Sequence, residues 1–345
     1  MVAGENGRAD GFSKYEAQAS SLPASRRGQG SFPYRKYGGF WYPEHLMAPT
    51  LAMLDTFAAR PTDVILATMP KSGATWLKAL VYAVVHRGRH PPAPAGDKRH
   101  HHHPLLASSP HELVPFLHDL YNENHRSAPP GPLLELEGMS SPRVLAVHAP
   151  FTALPASVPA SGCRVVYLCR DPKDAFVSLR HFLDEKKPEG SPAITPLAEA
   201  FDLFCGGVSP FGPVWGHMAG YWKESVARPG EVMFLRYEQL KEDAVGSVTR
   251  LAEFLGSPFT DEEVARGVPE AIVSLCSMDR MRSVLANRDG MHGTGGRSFK
   301  NSAFFRKGEV GDWKAHMTPE MARRLDGIME EKLRGSGLSL SFTGN

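Results

Sequence analysis

The stretch from Asp63 to Arg87, DVILATMPKSGATWLKALVYAVVHR, leaves the chain little conformational freedom. Val64-Ile65-Leu66-Ala67 is a short apolar, branched run and reads as a buried strand. Pro70-Lys71-Ser72-Gly73 breaks it. From Ala74 onward, Trp76, Leu77, Leu80, Val81, Val84 and Val85 recur at helical spacing and give one apolar stripe. Strand, tight loop and helix in that order aim free backbone N–H groups at an anion, and the helix end adds partial positive charge. Lys71 adds a full charge, Ser72 and Thr75 add hydroxyl donors, and Gly73 lets the backbone come close. The pattern is not GxxxxGK[ST], because the loop is too short and the lysine precedes the glycine. The bland reading is an ordinary strand–helix turn with a solvated lysine, so the rest of the chain has to decide.

With 345 residues, 42% of them hydrophobic and 22% charged, the chain can fill one large domain or two smaller ones. A net charge of +2 gives no support to a nucleic-acid or polybasic membrane role, so any anion binding is local. Cys163, Cys169, Cys205 and Cys276 show neither CxxC nor zinc spacing, which points to reduced thiols in a reducing compartment. No apolar run approaches a membrane span. The N-terminus lacks an apolar core and carries Glu5, Asp10 and Glu16, which argues against a targeting peptide. The cytosol is the expected compartment.

Residues 1–36, rich in Gly, Ser, Ala and Arg without periodicity, read as a mobile arm, 37–335 as the folded domain and 336–345 as a tail. Tyr37-Gly38-Gly39-Phe40-Trp41-Tyr42-Pro43 is either a hydrophobic clip or an aromatic wall over a pocket. Gly88 to Glu112, rich in proline and bearing His100 to His103, reads as a solvated loop rather than a metal tract. Strands are expected at 143–147, 163–169 and 231–236. A helix starts at Asp174, and others span 197–205, 215–226, 243–255 and 261–275. Ala286 to Ala303 reads as a glycine-rich loop, and Thr318 caps a last helix with Pro319 at its first position. Strands alternating with helices make this α/β with a central, mostly parallel sheet flanked by helices.

Polar residues fall at telling places. Lys71, His148, Arg170 and Tyr237 each stand just past the C-terminal end of an expected strand, where open α/β sheets bind ligands. Singly each has a bland reading: His148 a satisfied turn histidine, Arg170 a partner of Asp171, Tyr237 a rim residue. Together they aim a cation, an imidazole, a guanidinium and a phenol at one region. Arg306-Lys307-Gly308 adds a second cationic pair suited to a phosphate. Two anion-binding sets suggest a ligand with two phosphate-like groups.

PKSGATWLKAL, VHAPF, VYLCRDPKDAFVSL, FLRYEQLKED and FFRKGEVGDWK together resemble the cytosolic sulfotransferases, most of all the plant members, from about Tyr37 to about Leu333. The resemblance implies a single domain of P-loop-kinase-like sulfotransferase fold and 3′-phosphoadenosine 5′-phosphosulfate (PAPS) as co-substrate. By that resemblance Lys71, Ser72, Gly73, Ala74, Thr75 and Trp76 hold the 5′-phosphosulfate, with Trp76 beside the adenine. Arg170 and Ser178 hold the 3′-phosphate, completed by Arg306, Lys307 and Gly308. Tyr237 contacts the adenine side, Ser277 and Met278 contact the nucleoside, and His148 is the catalytic base. The implied acceptor is a hydroxyl of a small hydrophobic molecule: a flavonoid, a steroid, a hydroxylated fatty-acid derivative or another phenol.

The chemistry agrees with that assignment. Sulfuryl transfer needs a deprotonated hydroxyl, in-line approach to sulfur and stabilised charge on the leaving oxygen. A neutral His148 can take the proton and Lys71 can meet the charge, with no metal called for. An unperturbed histidine would put the alkaline rise of the rate at about pH 6 to 7. Three departures stand out. Ala74 occupies a position where the family usually has threonine, which costs about 1 kcal/mol by ordinary hydrogen-bond arithmetic. Met69 and Ala149 replace a common tyrosine and a common leucine. KAHMTPEMARRL after Trp313 lacks the Thr-Val pair that marks the animal members' dimer, so a monomer or a weak dimer is expected. The rival readings are a P-loop-type nucleotide kinase and a non-catalytic nucleotide-binding protein on the same fold.

Overall fold

Val64–Thr68 is buried along its whole length in the computed structural model, which describes residues 6–25, 28–29, 33–92, 103–126, 132–186, 194–293 and 298–339. Before it, short strands β1 (Ala24–Ser25), β2 (Tyr34–Tyr37) and β3 (Phe40–Pro43) form an antiparallel meander. Gly38 and Gly39, at φ 56° and 88°, make the two-residue turn between β2 and β3 that other residues would strain to adopt. The central sheet comprises β4 (Val64–Thr68), β5 (Val144–Val147), β6 (Arg164–Cys169) and β7 (Val232–Arg236), in the order β5-β4-β6-β7. Every pairing between these four is parallel.

Alternation along β4 feeds two cores. Ile65 and Ala67 pack on one face of the sheet, with Met47, Phe176 and Tyr221. Val64 and Leu66 pack on the other, with Leu77, Leu80, Val81 and Val84 from the Ala74–His86 helix. Burial on both faces explains why the strands read as continuous apolar runs. Full burial of each aliphatic side chain stabilises by roughly 1.5–3 kcal/mol, so this one helix face contributes substantially.

Strand order determines where a ligand can enter. The chain passes from β4 out to β5, then crosses back over β4 to β6. The direction therefore reverses between β4 and β6, and Lys71 and Arg170 flank that switch point. At the opposite end of the sheet, Asp63 accepts two hydrogen bonds from Arg143, at 2.8 and 2.5 Å, with both side chains buried. Polar groups are satisfied there, whereas several at the C-terminal ends of the strands are not.

Several expectations need correction. Within residues 1–36, Asn6–Ser21 is a helix docked on the Glu44–Thr56 helix, with Tyr15 buried and hydrogen-bonded to Asp55. Tyr15 and Ala19 gave this segment too few apolar residues for a clear periodicity. Residues 1–5, 26–27, 30–32 and 340–345 of the arm and tail lie outside the described residues. The 88–112 segment is not simply a solvated loop: His103 is buried, with Nδ1 accepting from Leu105 N, and Pro110–Leu113 is a short helix. His100, His101 and His102 lie outside the described residues. The helix expected from Asp174 begins at Pro172, capped by Asp171. The 261–275 helix is broken at Gly267, φ 69°. Ala286 to Ala303 holds the end of a short helix, a pair of two-residue strands, β8 (Met291–His292) and β9 (Phe299–Lys300), and a 3₁₀ turn; residues 294–297 of it lie outside the described residues. Among the described residues, no helix is long and apolar enough to cross a membrane.

Candidate active site

The loop after β4 is built around Gly73. Its φ of 104° belongs to glycine, and a Cβ there would lie 2.8 Å from the Tyr237 ring. The first intrahelical bond runs from Leu77 N to Gly73 O, at 3.0 Å. The backbone N–H groups of Ala74 to Trp76, ahead of Leu77, therefore lack partners inside the helix, the arrangement that suits an anion. Ser72 is buried beneath the loop, and its Oγ has no partner among the described residues.

Lys71 has φ 67°, a strained conformation for a residue with a side chain. Its Nζ lies 4.1 Å from the Phe182 ring centre and 3.5 Å from the Ala303 carbonyl. Among the described residues no carboxylate pairs with it. Burial, helped by the charges of Arg170 and Arg306, pulls its pKa down to about 7. An unpaired, desolvated amine held among other cations is poised to gain an anion.

His148, just past β5, lies against Thr68. Its Nδ1 is 2.8 Å from the Thr68 carbonyl, which can only accept, so Nδ1 carries the hydrogen and Nε2 is bare. Burial, and His118 nearby, hold His148 well below the ordinary histidine range. The ring is therefore a neutral base with its accepting nitrogen available. Aromatic rings surround it: Phe116 at 4.4 Å, Phe211 at 5.5 Å and His118 at 5.8 Å between ring centres. His217 fixes the backbone below, giving Nε2–H to the His148 carbonyl at 3.0 Å while its Nδ1 faces the Tyr167 hydroxyl at 3.0 Å.

Arg170, past β6, donates to the Glu309 carbonyl at 2.6 Å and stacks over the Tyr237 ring at 4.6 Å. Its Nε is buried without a partner among the described residues. Asp174 lies 3.5 Å from the guanidinium, and it also accepts from Gly311 N and Trp313 N, which ties the C-terminal loop to the site. That is why Asp174, expected to cap a helix, stands inside it. Tyr237, past β7, donates to the Gly308 carbonyl at 2.9 Å and meets Trp76 edge to face at 5.5 Å.

The structure adds a partner that sequence reasoning missed. Asp312 binds Arg306 at 2.6 Å and Lys307 at 2.5 Å, and the two cations hold its carboxyl down at about 2. The second cationic pair is thus half-neutralised. Lys307, with 46% of its side chain exposed, stands further into solvent than Arg306 at 20%, whose buried Nε has no partner among the described residues.

Of the residues singled out from sequence, Lys71, Gly73 to Trp76, His148, Arg170, Ser178, Tyr237, Met278 and Arg306 to Gly308 line one open cavity. Ser72 and Ser277 do not line it; Ser277 Oγ instead caps the Met278–Ser283 helix by accepting from Arg280 N. His111, Phe116, Phe182 and Phe304 line it and were not anticipated. The signal for His111 was Ser109-Pro110-His111-Glu112, a capping box with proline at the first helical position, and it forms as such.

A family model described as the sulfotransferase domain matches residues 61–337. Cytosolic sulfotransferase 15 of Arabidopsis thaliana is 40% identical over 331 residues, 96% of this chain and 88% of the relative. Cytosolic sulfotransferase 8 of Arabidopsis thaliana is 43% identical over 322 residues, covering 93% and 91%. Among solved structures, a crystal structure of an Arabidopsis thaliana sulphotransferase superposes with a TM-score of 0.72 at 34% identity, covering 94% of each chain. Mouse sulfotransferase SULT7A1 complexed with PAP superposes with a TM-score of 0.62 at 26% identity, covering 88% of this chain and 95% of that one.

Proposed function

Because the chain belongs to the sulfotransferase family and is a PAPS-dependent enzyme, we propose that the cavity at the ends of β4 to β7 holds the donor between two cationic sets and presents its sulfuryl end to His148. The family match leaves the nucleotide-kinase alternative without support. One observation carries the reading: a partly buried lysine with no carboxylate partner among the described residues and a neutral histidine with a bare Nε2 face the same cavity. The residues also fit the donor's chemistry. Arg170 Nε and Arg306 Nε are buried polar atoms without partners among the described residues, and the Gly73 cradle has no room for a Cβ.

When bound, the donor supplies a sulfuryl group on a phosphate that leaves readily. Lys71 and the N–H groups from Gly73 to Trp76 hold the 5′ end and meet the charge that develops on the leaving oxygen. Thr75 adds a hydroxyl there and Ala74 only its backbone, while Ser72, buried beneath the loop, supports the cradle from behind. Trp76 and Tyr237, with Ser277 and Met278 nearby, flank the nucleoside. Arg170, Ser178, Arg306, Lys307 and Gly308 take the 3′-phosphate, with the charge of Arg306 and Lys307 partly offset by Asp312 and Lys307 the more exposed of the two. His148 Nε2 accepts the proton of the incoming hydroxyl. Phe116, Phe211 and His118 around the His148 ring favour a small hydrophobic acceptor. The relatives are named cytosolic, and we propose the same compartment here.

The two anion sets are separable by calorimetry with PAP, the donor without its sulfuryl group, and with adenosine 5′-phosphate, which lacks the 3′-phosphate. Arg170→Ala and Arg306→Ala should each weaken PAP by roughly ten- to a hundredfold, the worth of a charge-assisted hydrogen bond, and barely affect adenosine 5′-phosphate. Lys307→Ala should lose less than Arg306→Ala. Equal losses on both nucleotides would show that the arginines serve another part of the ligand.

A further inference from the structure

Lys78 lies on the Ala74–His86 helix one turn beyond the cradle and is fully buried. Buried lysines ordinarily have a carboxylate beside them, yet among the described residues none stands within ion-pairing distance of this one. Its Nζ rests 3.4 Å from the Phe116 ring centre and 3.2 Å from His111 Nδ1. His111 Nε2 in turn lies 3.0 Å from Thr75 Oγ1, and its ring is clamped parallel to Phe304 at 3.9 Å and 24°. These three side chains make an unbranched path from the buried helix face to the cavity, which His111 and Thr75 both line.

Donor and acceptor accounting gives the path a direction. Burial holds Lys78 well below the ordinary lysine range, yet amine and ammonium alike carry hydrogens to give, and with the lysine as donor His111 Nδ1 accepts. Burial and the nearby Lys78 keep His111 far below the ordinary histidine range, so the ring has a single N–H, and it stands on Nε2. That N–H is given to Thr75 Oγ1. Having accepted there, the Thr75 hydroxyl has its own hydrogen left, and among the described residues Oγ1 has no other partner. Without Lys78 the other tautomer of His111 becomes available, with Nε2 accepting from the threonine and turning its hydrogen away from the cavity.

Taking the Lys71–Trp76 loop as the donor site, we propose that Lys78 is a positioning residue: through His111 it presets the Thr75 hydroxyl to donate to an anionic oxygen of the bound nucleotide. The residue acts at a distance and touches no ligand. Its worth is one neutral hydrogen bond to an anion, made without reorientation on binding.

Calorimetric titration with PAP tests this on the full-length protein. Lys78→Met and His111→Leu should each weaken PAP about three- to tenfold, as should Thr75→Val. The Lys78→Met/Thr75→Val double variant should bind no more weakly than Thr75→Val alone, because the lysine acts only through that hydroxyl. His111→Gln should stay within about twofold of wild type, since its amide can accept from Lys78 and donate to Thr75. Additive losses in the double variant, an unchanged Lys78→Met, or a His111→Gln as weak as His111→Leu would each overturn the proposal. If Lys78→Met does not fold, the two His111 variants decide. A wild type that fails to bind PAP would overturn the donor site and the relay with it, whereas one that binds while the losses add overturns the relay alone.

Discussion

His148→Ala should lose turnover by about 10² to 10⁴, the usual worth of a positioned general base, while PAP affinity stays near that of wild type. The separation follows from the geometry. His148 is anchored by Thr68 and enclosed by Phe116 and Phe211, whereas the cationic groups stand on the loop after β4, past β6 and in the 306–308 segment. Loss of the imidazole should therefore spare nucleotide binding. Residual activity should depend on the acceptor, surviving best with acidic phenols that ionise unaided. Steady-state rates across phenols of graded acidity, alongside PAP titration of the same preparation, check both halves. A variant that keeps full rate on a non-acidic alcohol would hand the proton to another group.

Lys71→Met should act on both binding and chemistry. Removing the charge should weaken PAP by roughly ten- to a hundredfold and slow transfer by about 10² to 10³. Its lowered pKa adds two signatures. At about 7 the free amine is only partly protonated at neutral pH, and a bound polyanion restores its charge. PAP binding should therefore take up protons above pH 7 in wild type and not in Lys71→Met, which calorimetry in buffers of different ionisation enthalpy reads directly. The second concerns stability. A lysine whose folded pKa lies below its unfolded value costs stability, and the cost is present from the acid side up to about pH 7 and relieved as pH climbs toward 10.5. Lys71→Met should thus melt at or above the wild-type temperature at pH 7 while being nearly inactive, as expected where a site is strained for function. A variant that melts lower would place the lysine in a structural role.

The sheet was legible because its strands are buried on both faces and read as short apolar runs, each broken by proline, glycine or a charged residue. The cradle, His148, Arg170 and Tyr237 were legible because topology alone sends strand ends to one edge. What escaped was set by tertiary contact. Asn6–Ser21 has little intrinsic amphipathicity and is held by Tyr15 and Asp55. Asp312, six residues from Arg306, gave no sign in sequence that it would neutralise the cationic pair rather than face solvent. His111 stood in a proline-rich stretch whose composition suggested a loop, although its capping box was present. Composition describes a segment's average, while the site uses single residues within it.

The central claim, a neutral His148 as proton acceptor, is tested most directly by the pH dependence of turnover with a non-acidic alcohol, wild type against His148→Ala. A histidine at its ordinary pKa would place the rising limb at about pH 6 to 7. Burial moves the limb to lower pH, because the charged form is the one disfavoured. Buried His111, His118, His148 and His217 all lie below their unfolded values, so the unfolded chain binds more protons and stability falls as pH drops below about 6.5. Rates should therefore be read in the first seconds after a jump from neutral pH. With PAPS saturating, so that the bound polyanion keeps Lys71 charged, the account predicts a wild-type rate that does not rise between about pH 6.5 and 8 and whose acid limb lies below the ordinary histidine range, with no such limb in the residual activity of His148→Ala. A wild-type rate still rising through pH 7, or the same acid limb in both proteins, would contradict it.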